Sequence, residues 1–218
     1  MIIDKVKNIE EAISKALLLI PNNSDLNICL TGGKFGENFL ESLLLGRVIK
    51  ESWEIFLSDE RLYPNNDEKI SSMYIQKLSS YQELRYGGLH TFEVNVSPDE
   101  SYSDINSVIE TRKISKFDIC FLSLGEDGHL AGHFKNSIPL KSEKFCYTQE
   151  APKLPQHRVS FDISWLRESS KLVIAALGSK KKEALNDLLN GQGTHSSIVN
   201  YDNLTILTDI DIRRLDKL

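Results

Sequence analysis

"DICFLSLGEDGH", residues 118–129, passes from an apolar run into two carboxylates and an imidazole set between glycines. Residues 118–124 read as a strand that is apolar on both faces, the pattern of a strand buried inside a parallel sheet. Gly125-Glu126-Asp127-Gly128-His129 then breaks the run. Ligands of an open α/β sheet bind beyond the carboxyl ends of its strands, so one stretch predicts both the sheet and the place for chemistry.

Working outward, other apolar segments fall at 26–30, 53–57, 90–96, 158–163, 172–177 and 204–207. Helical stretches are expected between them. Ile9, Ile13, Ala16 and Leu17 recur at helical spacing before Pro21, and further helices are expected near 37–48, 72–78 and 180–189. Ser97-Pro98-Asp99-Glu100 has the form of a capping box opening a helix that runs to about Lys113. The polar segment from Pro64 to Lys69 reads as a loop. Strands alternating with helices imply an α/β fold, Rossmann-like and layered, with a largely parallel sheet flanked by helices. With 218 residues, 40% hydrophobic, no repeat and no long linker, the chain is expected to form one domain over 1–218.

The net charge of -5 gives no electrostatic case for nucleic acid or an anionic membrane, so an anion site must be local. Cys29, Cys120 and Cys146 are odd in number, far apart and in apolar surroundings, which fits reduced core thiols. The first twenty residues carry charges throughout and hold no long apolar stretch. Neither a signal peptide nor a membrane span is expected, and the location is expected to be cytoplasmic. Nothing in the sequence specifies an oligomeric state.

Three strands end in loops that could meet. After the first, Thr31-Gly32-Gly33-Lys34 allows close backbone approach at a helix start, which suits a phosphate; an ordinary tight turn needs the same glycines. After the second, Ser58-Asp59-Glu60-Arg61 offers an arginine suited to bidentate phosphate contact, or a surface loop with its own ion pair. In the third, Asp127 can orient His129 only if the loop folds back on itself, and a neutral His129 could then take a proton from water. The competing readings are a capped loop with a hydrogen-bonded histidine, or zinc held by His129 and His133. HLAGH lacks the glutamate of HExxH and no third ligand is evident, so no metal is assigned. No G-x-S-x-G elbow or activated cysteine is present, which leaves water as the nucleophile. A fourth strand end, Gly178-Ser179-Lys180-Lys181-Lys182, offers backbone donors and lysines to an anion.

In this order the segments resemble the 6-phosphogluconolactonase family, relatives of glucosamine-6-phosphate deaminases and isomerases. The anchors are Gly32-Gly33, Asp59-Glu60-Arg61 with Pro64, Gly125 and Asp127-Gly128-His129, Arg158-Val159, and Gly178 with Lys181. The resemblance implies hydrolysis of 6-phospho-D-glucono-1,5-lactone without metal or organic cofactor. It makes His129 the general base, supported by Asp127. It assigns Arg61, Arg158 and Lys181, with Gly32, Gly33, Lys34 and Asp59, to the sugar-phosphate lactone. Arg61, in place of the deaminase branch's tyrosine, and the absence of that branch's Asn-Glu-Pro favour the lactonase. Three positions depart from the family: Lys34-Phe35 replaces a small hydroxyl residue and proline, Ser71-Ser72 replaces Ser-Asn, and Leu130-Ala131-Gly132-His133-Phe134-Lys135 replaces Thr-Ala-Ser-Leu-Phe-Pro. The alternatives are an amino-sugar phosphate deaminase or isomerase, and a sugar-phosphate binding protein without turnover.

Overall fold

Strand β6 (Ile119–Ser123) lies at the centre of a seven-stranded sheet in which every strand pairing is parallel. The structure is a computed structural model that describes residues 1–63, 69–81, 87–192 and 195–212. On one side of β6 follow β2 (Asn27–Leu30), β3 (Glu54–Leu57) and β5 (Gly88–His90). On the other side lie β10 (Leu172–Ala176), β11 (Leu204–Thr208) and β1 (Ile2–Lys5).

Alternation along β6 divides the core between two faces. Ile119 and Phe121 pack with Ile28, Leu30, Ile55 and Val173 under helices α1 (Ile9–Leu19), α2 (Gly33–Leu45) and α3 (Ile70–Ser79). Cys120 and Leu122 face the opposite way, toward α5 (Ser103–Thr111) and α7 (Lys182–Leu189). Both faces of β6 are covered, as its uninterrupted apolar run requires. Cys29 and Cys120 are register partners on β2 and β6, and all three cysteines are free and buried.

A second sheet grows from the carboxyl edge of the first. Strand β4 (Asp59–Arg61) follows β3 after Ser58 alone, whose N–H still donates to Leu30 O at 2.9 Å. It pairs antiparallel with β9 (Arg158–Phe161), which pairs with β8 (Phe145–Thr148) and then β7 (Ile138–Pro139). The Asp59-Glu60-Arg61 segment is therefore a strand and not the loop its charge suggests. Glu60 is fully buried, its carboxylate accepting the N–H groups of Arg61 (2.8 Å), Ile70 (2.8 Å) and Ser71 (2.7 Å). Three donors to one carboxylate anchor the start of α3 against β4.

Other differences have local causes. β1 was not expected: four residues at a sheet edge, half of them charged, carry no strand signal, and the partner β11 lies two hundred positions away. The 90–96 strand shortens to Gly88–His90, because beyond it the chain turns so that Asn95 N–H donates to Leu62 O (2.7 Å). The capping box is present, with Ser97 Oγ accepting from Glu100 N–H and Glu100 Oε2 accepting from Ser97 N–H, but its helix α4 (Pro98–Ser101) is separated from α5 by Tyr102. The expected loop after Arg61 falls, from Pro64 to Glu68, outside the described residues.

Candidate functional site

After β2 the chain moves to β3 on one side of the sheet, and after β6 it proceeds to β10 on the other. The carboxyl ends of β2 and β6 thus flank a topological switch point, where an open α/β sheet leaves a crevice. Gly32-Gly33 follows β2 and Gly125 to His129 follows β6.

The β6 loop does fold back. Leu124 bridges Leu130, Gly125 N–H donates to His129 O at 2.8 Å, and Gly128 turns at φ +84°. This brings His129 Nδ1 into a short hydrogen bond with Asp127 Oδ1. Since the carboxylate engages Nδ1, the nitrogen left for chemistry is Nε2. Burial would raise the Asp127 carboxyl, but the hydrogen bond and charge of His129 outweigh it and hold the group below the ordinary range. The imidazole stacks on Phe134, centroids 4.4 Å apart, and keeps about a quarter of its side chain exposed. Gly125 makes this possible: a Cβ there would lie 2.1 Å from His129 Nδ1 and 2.6 Å from Asp127 Oδ1.

Cations gather beside this pair. Lys181, in the turn after β10, donates through Nζ to Ser123 Oγ at 3.0 Å, at the end of β6. Burial lowers its pKa and Lys153 lowers it further, against the opposing charges of Glu126 and Asp209. Glu126 belongs to the histidine loop, so Lys181 is tied to that loop electrostatically. Arg158 is buried on β9 and donates through Nη2 to Lys153 O at 3.3 Å. Across the β4–β9 ladder its register partner is Arg61. Two guanidinium groups brought to neighbouring positions suit an oxyanion, which arginine contacts in bidentate fashion. Lys153, whose carbonyl accepts from Arg158 and whose charge acts on Lys181, was not singled out in the sequence; its one signal was the Pro155 turn three residues before an arginine-led strand.

Asp59, also buried, accepts from Ser58 Oγ at 2.6 Å. Gly132 lies over it, since a Cβ at 132 would be 3.2 Å from the Cβ atoms of both Asp59 and Arg158. Gly132 N–H donates to Ser160 Oγ at 3.2 Å, so the histidine loop is fastened to the second sheet. The departure at 132 therefore fits a close approach.

Gly32 and Gly33 are less directly engaged. A Cβ at Gly32 would meet Ile70 at 2.9 Å, while Gly33 is exposed at φ +69° and opens α2 with Lys34 exposed beside it. The glycines connect to Arg61 through Ile70, whose N–H donates to Glu60. A cavity of about 430 Å³ lies instead at the amino ends of β2 and β3, where Glu54 meets Arg112 and His90, each at 2.6 Å. Glu54 is paired twice there, and the His129 loop lies at the opposite, carboxyl edge of the sheet.

Together these features define an α/β protein of the doubly wound kind with a hydrogen-bonded Asp127–His129 pair and lysine and arginine side chains at and beyond the carboxyl edge of its parallel sheet. A family model described as glucosamine-6-phosphate isomerases/6-phosphogluconolactonase matches residues 2–204, and the chain belongs to that family. A probable 6-phosphogluconolactonase 2 of Oryza sativa subsp. indica is 29% identical over 149 residues, 62% of this chain and 53% of the relative. The chain thus spans about half the length of that relative. A 6-phosphogluconolactonase of Borreliella burgdorferi is 28% identical over 200 residues, 86% of this chain and 84% of its own. The crystal structure of 6-phosphogluconolactonase from Thermotoga maritima matches with a TM-score of 0.79 at 19% identity, covering 94% of this chain and 96% of that one. That likeness establishes the shared fold. Among the described residues no helix is long and apolar enough to cross a membrane.

Proposed function

We propose that the chain is a cytoplasmic lactonase, acting as one domain, that hydrolyses 6-phospho-D-glucono-1,5-lactone to 6-phosphogluconate. The observation that carries this reading is the His129 ring, held at Nδ1 by Asp127 on a loop whose Glu126 acts on Lys181 and whose Gly132 lies against Arg158, the register partner of Arg61. The lactone's phosphate sits among these cations, with Lys153 and the Gly32-Gly33 and Lys34 turn at its margin. Asp59 keeps the β4 end in shape for Arg61.

Nε2 of His129 accepts a proton as water adds to the lactone carbonyl carbon. Asp127 keeps the ring in the Nδ1–H tautomer and balances the imidazolium. The tetrahedral intermediate collapses by breaking the bond from the carbonyl carbon to the ring oxygen. The ring oxygen then takes the proton back from Nε2 and leaves as a hydroxyl, while the new carboxyl group loses its proton to solvent and the product is released as a carboxylate. One water is consumed and no atom changes its oxidation state, so no redox cofactor is required.

The family name also covers amino-sugar phosphate isomerases. Two assays separate the readings. Fresh lactone, followed with coupled 6-phosphogluconate dehydrogenase and corrected for spontaneous opening, is expected to turn over well above background. Ammonia release from glucosamine 6-phosphate would instead assign the chain to the other branch. Saturable thermal stabilisation by 6-phosphogluconate without either turnover would leave a binding protein.

A further inference from the structure

We propose that His133, Cys146 and Asp162 form a site for a divalent transition metal of the zinc class, separate from the Asp127–His129 pair. One ligand atom from each of the three lies within 4.8 Å of the other two. The architecture explains the meeting. Cys146 on β8 stands opposite Ser160 on β9, and Asp162 lies two residues further along the same face, so thiol and carboxylate are diagonal neighbours. His133 arrives from the histidine loop, which turns at Ala131 (φ +52°) and is fastened to the same sheet through Gly132. Its Nε2 faces Asp162 Oδ2 at 3.5 Å.

The donor set is a thiol, an imidazole and a carboxylate, the mixture a borderline-soft ion such as Zn(II) accepts at bond lengths of about 2.0–2.3 Å. Tetrahedral binding at those lengths needs donors roughly 3.3–3.7 Å apart, so the site closes with shifts of about 1 Å. Asp162 is already oriented. Its Oδ1 accepts from Ser164 N–H at 2.8 Å and Ser164 Oγ at 2.6 Å, which leaves Oδ2 for the site. Nδ1 of His133 is buried without a hydrogen-bond partner among the described residues. Cys146 is itself almost wholly buried. Three protein ligands leave the fourth position to water. Bound there, the ion would join the loop carrying His129 to the second sheet without entering the hydrolytic step.

The sequence shows no such cluster, because the three residues are spread over thirty positions and none follows a metal-ligand spacing. The competing description is a plain His133–Asp162 ion pair beside a core thiol. Cobalt(II) added anaerobically to the reduced, metal-stripped protein distinguishes the two. The expected result is one equivalent bound, with intense visible bands of a tetrahedral site and a thiolate-to-cobalt charge-transfer band that zinc abolishes. Cys146→Ser is expected to remove the charge-transfer band, and His133→Gln to weaken binding by at least about 10²-fold. His129→Ala is expected to retain both. Circular dichroism checks each variant's fold, and His133→Gln, a half-buried loop change, serves where Cys146→Ser fails to fold. Absence of the charge-transfer band, or equal binding by wild type and His133→Gln, would overturn the assignment. Loss of binding on His129→Ala would do so as well, moving the ion to the catalytic pair.

Discussion

A methyl group at position 125 would occupy the space of the His129 ring, 2.1 Å from Nδ1. Gly125→Ala is therefore expected to displace the imidazole and lower kcat by about 10²-fold or more while the fold persists, as steady-state kinetics alongside a thermal melt would reveal. Asp127→Asn keeps the shape but offers Nδ1 an amide, and the account predicts a kcat loss of similar size with KM little changed. The lowered Asp127 pKa has a sign that can be worked out. Its folded value lies below that of an ordinary aspartate, so the pair supports the fold fully above the ordinary carboxylate range and fades as pH falls through the lower folded value. Lys181 runs the other way. Its ammonium is depressed below 10.5, so phosphate binding weakens as pH rises through that lowered value rather than through the usual one. KM for the lactone is expected to climb on the alkaline side in wild type, and to be higher but flatter with pH in Lys181→Met. At this scale Asp127, His129, Arg61, Arg158 and Lys181 stood out as candidates in the sequence because each follows or opens an apolar strand. Lys153 did not, since only the fold brings its turn beside Lys181.

Strand β4 shows where element-level reading fails and why. Asp59-Glu60-Arg61 has the composition of an exposed loop, yet Asp59 and Glu60 are both buried. Glu60 spends its carboxylate on three backbone donors, an arrangement that depends on α3 arriving ten residues later. Burial raises its pKa, with the donors from Ser71, Arg61 and Ile70 opposing. Glu60→Ala leaves those donors without partners, and we expect a loss of about 2–3 kcal/mol, or roughly 4–12 °C in Tm by calorimetry. An unchanged melting point would show that Glu60 does not anchor α3. The long apolar strands β6, β10 and β11 and helices α1, α2 and α7 were readable, because their periodicity is local. β1, β7 and β8 were not. β1 takes its strand character from a partner two hundred residues away, and β7 and β8 are too short to carry a pattern of their own.

The parallel sheet and its switch point set the carboxyl ends of β10, β6, β2 and β3 side by side. Phe121, fully buried on the central strand and 4.5 Å centroid to centroid from Phe39, joins that sheet to α2. Phe121→Ala is expected to cost about 3–5 kcal/mol in denaturant unfolding, because both layers are packed against a ring that nothing replaces. The layered α/β class was legible in the alternation of apolar strands with helices. The second, antiparallel sheet was not, for the β4–β9 pairing that joins it to the first spans about a hundred residues and its remaining strands are short. That sheet places Arg61 and Arg158 side by side, so the least readable part of the fold carries half of the proposed phosphate site. The central claim is that His129 activates water for lactone opening, and it is tested most directly by kcat on fresh 6-phosphogluconolactone for wild type and His129→Ala in parallel, corrected for spontaneous hydrolysis. The account predicts wild-type turnover above background and a fall of about 10²–10⁴-fold in the variant. Near-normal turnover by His129→Ala would contradict it.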